Sequence, residues 1–110
     1  MANKYINKAF DLSTTGATPI YTVPAETVAI VKTVQAYNDT ASAVTVTMSF
    51  TDASASTTYN IGYAASSAIE QFSLLTDNLL VLEESDVLKL TASVGTQVTG
   101  VASILEQDRT

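Results

Sequence analysis

The cleanest pattern in the chain is a strict alternation over eight residues, in which Val44, Val46, Met48 and Phe50 are separated by Thr45, Thr47, Ser49 and Thr51. A period of two sends successive side chains to opposite faces, so this stretch predicts a β-strand with one buried and one wet face. The alternation resumes through Thr57, Tyr59, Ile61 and Tyr63, with Gly62 placed for a bulge. Residues 27–37 carry Val28, Ile30 and Val34 on one face and Val31, Thr33, Gln35 and Tyr37 on the other, the pattern of a central strand. Leu79-Leu80-Val81-Leu82, the acidic turn Glu83-Glu84-Ser85-Asp86, and Leu88, Leu90, Ala92 and Val94 alternating with polar residues together read as a β-hairpin. A lone hairpin cannot cover its own apolar face. The expected partner is the first stretch, with Val44, Val46, Met48 and Phe50 facing Leu88, Leu90 and Val94 across a core about 10 Å thick.

Shorter signals fill in the rest. In the first segment Tyr5, Asn7 and Ala9 oppose Ile6, Lys8 and Phe10 before a break at residues 13–18. Residues 19–23 form a short strand closed by Pro24, and Asn38-Asp39-Thr40-Ala41-Ser42 and residues 52–56 supply turn formers. Residues 69–75 read as a strand in preference to one helical turn, and a last strand follows Gly95 and Thr96, from Gln97 to Leu105. Strands spaced near ten residues apart with no long helical pattern predict an all-β protein, an antiparallel β-sandwich of about eight strands, jelly-roll or Ig-like. Residues 1–18 are then an N-terminal arm or edge strand, and residues 19–110 the sandwich domain.

Composition narrows the chemistry. The 110 residues contain neither cysteine nor histidine, which removes thiol nucleophiles, thiolate metal sites and the commonest general base. Classical hydrolytic triads are excluded. Eleven acids against five bases give a net charge of −6, the wrong sign for binding a phosphate backbone. The longest apolar runs, residues 28–31 and 79–82, are far too short to span a bilayer, and Met1-Ala2-Asn3-Lys4 leads into no apolar signal core. The expectation is a soluble protein, unprocessed for export, without nucleic-acid or membrane partners.

Asp77, Glu83, Glu84 and Asp86 form the densest acidic cluster, but no calcium-loop spacing accompanies them. They are expected to be a solvated turn that binds no metal, with Glu83, Glu84 and Asp86 facing water. The tyrosines Tyr5, Tyr21, Tyr37, Tyr59 and Tyr63 suit either an interface or sheet filling. Asn38-Asp39-Thr40 has the spacing of a glycosylation acceptor and is read as a turn.

Three stretches together resemble small structural proteins of tailed bacteriophages. They are Tyr21-Thr22-Val23-Pro24-Ala25-Glu26-Thr27-Val28-Ala29-Ile30-Val31, Asn38-Asp39-Thr40-Ala41-Ser42-Ala43-Val44-Thr45-Val46, and Leu82-Glu83-Glu84-Ser85-Asp86-Val87-Leu88. The resemblance covers about three quarters of the chain; such families often carry glycine where Ser85 stands. It implies a non-enzymatic virion component without cofactors, first of all a capsid decoration (cement) protein stabilising the phage head. The alternative it implies is a head-fibre, neck or tail protein, or a receptor- or carbohydrate-binding module at a fibre tip. A homo-oligomer, with a trimer favoured, on the major capsid protein at the outer surface of a virion assembled in the host cytoplasm is the arrangement implied. Inter-subunit contacts are then expected from Tyr5, Ile6, Phe10 and Tyr21.

Overall fold

The structure, a computed structural model, describes residues 2–75, 79–93 and 98–108. The candidate acid Asp77, the expected core position Val94 and the expected turn at Gly95 and Thr96 lie outside the described residues. Among the described residues nine strands follow one another: β1 (Ala2–Leu12), β2 (Thr18–Thr22), β3 (Thr27–Asn38), β4 (Val44–Asp52), β5 (Thr57–Ser66), β6 (Glu70–Leu75), β7 (Leu80–Leu82), β8 (Val87–Ala92) and β9 (Val98–Asp108). They form two antiparallel sheets, ordered β1-β9-β3-β6 and β2-β8-β4-β5, with β7 pairing β3 end to end with β6. The chain thus passes repeatedly between sheets, the winding of a jelly roll. Of the two sandwiches that the strand pattern allowed, this order selects it over the immunoglobulin type.

Register explains which side chains meet. Val34, Ala36 and Asn38 of β3 pair with Ala102, Gly100 and Val98 of β9, and all point inward. Val46, Met48 and Phe50 of β4 pair with Ala92, Leu90 and Leu88 of β8. These two apolar rows are therefore neighbours in one sheet, not opposite walls of the core as expected. What they face is the other sheet, whose core contribution includes Leu12, Val31, Val34, Leu82 and Ile104. Gly100 sits where β1, β9 and β3 come closest. A Cβ there would lie 2.1 Å from the Gln35 carbonyl oxygen and 2.6 Å from the Phe10 ring, so no side chain fits.

The expected hairpin of residues 79–94 is also corrected. Its first limb pairs β3 in the larger sheet, whereas its second is β8 in the smaller one, and Glu83-Glu84-Ser85-Asp86 carries the chain across. The Asp86 amide donates to the Glu83 carbonyl at 3.0 Å, and Ser85 has φ 71°, a left-handed conformation that favours glycine. Val23 clamps the turn, donating to the Asp86 carbonyl and accepting from the Ser85 amide, both at 3.0 Å.

Asp86 does not face water. It is 4% exposed, and its carboxylate accepts from the Glu83 amide and the Ala53 amide, each at 2.9 Å. One buried carboxylate thereby ties the β7–β8 turn to the β4–β5 turn. Asn38 does the same at the other end of the sandwich: its amide donates to the Ser42 and Ser67 carbonyls at 2.9 Å, and its oxygen accepts from Thr40. Glu83 and Glu84 do remain exposed, Glu84 accepting from the Glu26 amide at 2.9 Å.

Adjacent substitutions in this turn should act in opposite directions. Asp86→Ala, which leaves two amides without their acceptor, is expected to cost about 2–4 kcal/mol. Ser85→Gly, which relieves a left-handed backbone, should add about 1 kcal/mol. Urea unfolding of the two variants beside the parent checks both signs.

Candidate functional site

Strand parity decides which expected contact residues reach the surface. Ile6 and Phe10 lie on the inward side of β1, paired with Ile104 and Gly100, whereas Tyr5 points outward beside Leu105. Tyr5 is 75% exposed; Ile6 is half-buried against the core; Phe10 and Tyr21 are core residues. Phe10 and Tyr21 are thus corrected from contact residues to interior ones, because the strands that carry them turn those positions into the sandwich. Residues 2–12 themselves pair with β9 along their whole length and form the edge of the larger sheet.

Tyr21 does carry a polar link. Its hydroxyl donates to Glu106 Oε2 at 2.5 Å, joining β2 of one sheet to β9 of the other, and Lys4 Nζ lies 3.9 Å from Glu106 Oε1. Burial, then the hydrogen bond to Glu106, then the charge of that carboxylate raise the Tyr21 pKa well above its ordinary value. A phenol held protonated in this way is a poor base, and the carboxylate it occupies has both oxygens engaged. Among the described residues, no three His, Cys, Asp or Glu side chains gather as a metal site, and no helix is long and apolar enough to cross a membrane.

The outward faces differ in character. On the smaller sheet Thr47 pairs with Thr91 and Tyr63, and Thr51 pairs with Thr58, their hydroxyls 2.8 Å apart. This face is a carpet of hydroxyls from which Tyr63 projects, 75% exposed. On the larger sheet, register aligns Tyr5 with Leu105, Leu105 with Ile30, and Ile30 with Val81. One apolar row therefore crosses four strands on the outer face. Ile30 and Leu105 are half-buried at its centre, while its ends, Tyr5 and Val81, stand open. The Lys32 ammonium, at the point where the β3–β9 register shifts, lies 5.4 Å from the centre of the Tyr5 ring.

Further along the same face is a shallow, open depression of about 370 Å³, lined by Gln35, Ala36, Tyr37, Gln71, Thr99, Gly100 and Val101. Sequence reasoning missed both features. Ile30, Val81 and Leu105 each look like ordinary strand apolar residues, and only the pairing of β1, β9, β3 and β7 puts them in line with Tyr5.

No family model matches the chain, and no curated protein matches it. Solved structures do share its fold. Eiger TNF from S. frugiperda superposes with a TM-score of 0.52 at 13% identity, over 84% of this chain and 66% of that one. This chain therefore spans just under two thirds of that protein's length. The Bacillus endospore appendages that form disulfide-linked pili give 0.50 at 14% identity, over 96% and 84% of the two chains. PirA gives 0.50 at 12%, over 92% and 93%. Likeness at these identities is likeness of fold. Disulfide linkage is closed to the present chain, which has no cysteine.

The Tyr21 proton makes an alkaline prediction. Because the folded state holds it above the ordinary value of 10.0, unfolding releases a proton once the pH passes that value. The contribution is complete below about pH 10 and is lost as the pH climbs beyond it. Tyr21→Phe, which removes the donor from a buried carboxylate, should cost about 1–3 kcal/mol at pH 8. The variant should also show a shallower fall in stability above pH 10, measured by urea unfolding from pH 8 to 11.

Proposed function

We propose that this chain is a non-enzymatic structural subunit of a virus particle, a capsid decoration protein that binds as a homo-oligomer, with a trimer favoured, to the outside of a tailed-phage shell. The observation that carries the proposal is the row Tyr5–Leu105–Ile30–Val81, which exposes apolar side chains across four strands. Soluble sheets with one solvated face put polar residues there, and a contiguous apolar patch marks a contact surface. Closed symmetry repeats each such contact, so modest interfaces suffice. β1 adds main-chain donors and acceptors along an open edge, available to a neighbouring strand.

Charge fits the outer side of a shell. With a net charge of −6 the chain is repelled by packaged nucleic acid. The likeness of residues 21–31, 38–46 and 82–88 to tailed-phage structural proteins supplies the class of particle and the major capsid protein as the partner.

The test uses the row itself. The parent is expected to sediment as a trimer and to co-pellet with purified shells of the virus that encodes it. The double variant Tyr5→Ser, Val81→Lys changes two exposed positions and should leave the melting temperature within a few degrees. It is expected to run as a monomer and to lose shell binding. A parent that is monomeric at every concentration and absent from the pellet overturns the proposal.

A further inference from the structure

We infer that the depression between β3, β6 and β9 binds a neutral saccharide, one or two pyranose rings in size. Its lining comes from three adjacent strands in register: Tyr37 pairs with Thr99 on one side and Gln71 on the other, and Gln35 pairs with Val101. All point to the outer face. Between them the floor is backbone, since Ala36 and Gly100 pair on the inward side of the same strands and send no side chain to this face.

The chemistry of the lining selects the ligand. Tyr37 is 39% exposed and offers an aromatic surface against which the C–H face of a sugar ring packs. The side-chain amides of Gln35 and Gln71 and the hydroxyls of Thr99 and Tyr37 make no hydrogen bond to any other described residue. Each amide presents a donor and an acceptor side by side, the spacing that neighbouring sugar hydroxyls need. Among the described residues no charged side chain lines the site. An acidic sugar or a phosphate would meet no cation in a protein of net charge −6, and a cation would meet no carboxylate. At about 370 Å³ the space falls at the small end of ligand sites, roughly 300–1,000 Å³, which suits a terminal sugar and not a long glycan. The site lies four residues along β9 from the apolar row, roughly 13 Å away, so it stands independently of shell docking.

Titration of the 15N-labelled protein with the methyl glycosides of glucose, galactose, mannose and N-acetylglucosamine tests this, with inorganic phosphate and N-acetylneuraminic acid in parallel. At least one neutral glycoside is expected to give saturable millimolar shifts at the amides of Tyr37, Gln71 and Gly100, and the two anions none. Tyr37→Ala and Gln71→Ala should each weaken that binding by about tenfold while the spectrum stays folded. Tyr37→Phe, which keeps the ring, should bind within a few-fold of the parent. The inference is overturned if no glycoside gives saturable shifts, if the shifts map to Tyr63 or elsewhere, if the anions bind equally well, or if Gln71→Ala and a folded Tyr37→Ala both bind as tightly as the parent.

Discussion

Everything in this molecule depends on two sheets hiding each other's inner faces. Leu12, Val31, Leu82 and Ile104 from the larger sheet and Val46, Leu88 and Leu90 from the smaller one are almost wholly excluded from water. Burying such side chains contributes about 1.5–3 kcal/mol each, and neither sheet alone could bury them. Polar groups are admitted to this interior only with partners. Asn38 closes one end, Asp86 the other, and Tyr21 with Glu106 links the sheets between them; no described buried side-chain nitrogen or oxygen lacks a hydrogen bond. The turns are held from inside by these groups, which lets their outer residues be small and hydrophilic.

Local pattern carried the sequence reading as far as strands and most faces; in β3 the register shift between Val31 and Thr33 corrects it, putting Val31 and Val34 together in the core and Ile30 on the outer face with Gln35 and Tyr37. The alternation of residues 44–51 is β4, and the opposition of Tyr5 to Ile6 and Phe10 is the true parity of β1. Sheet membership could not be read the same way, because a strand's period says nothing about which neighbour it pairs with. Residues 79–94 look like a hairpin because two apolar runs flank four turn formers, yet the same sequence serves a crossing between sheets. Asp86 was misread for a related reason. Among acids in a turn the default is solvent, and what overrides it is the amide of Ala53, thirty-three residues away in sequence. Ser85 was legible as a place where glycine is usual, and its backbone has the conformation that makes it so.

The two outer faces divide the labour of the surface. A face of threonines presents hydroxyls that water satisfies as well as any protein partner does, and so contributes little drive to association. The opposite face combines an apolar row with an aromatic and amide-lined depression, so contact chemistry is concentrated on one side. Lys4 and Lys8 on the edge strand β1 place charge beside its open edge, a common guard against indiscriminate strand addition. Association is thereby confined to partners that match more than a bare edge.

The position of β9 has a consequence for how the protein is made. It is the ninth strand in sequence but sits inside the larger sheet, bonded to β1 on one side and to β3 on the other. A ribosome-bound chain that has emerged only as far as β8 holds β1 and β3 with no strand between them, and their inner apolar residues have no complete wall to rest on. β3 can already pair with β6 and β7, but β1 joins the larger sheet only in a late step, when β9 arrives and zips along both neighbours at once. Pairings so distant in sequence are slow to find, and until they do the nascent chain carries open edges in a crowded cell. Synthesis of this jelly roll thus has a vulnerable interval set by topology, and a chaperone that shields β1 and β3 during it would act on yield without touching the stability of the finished fold.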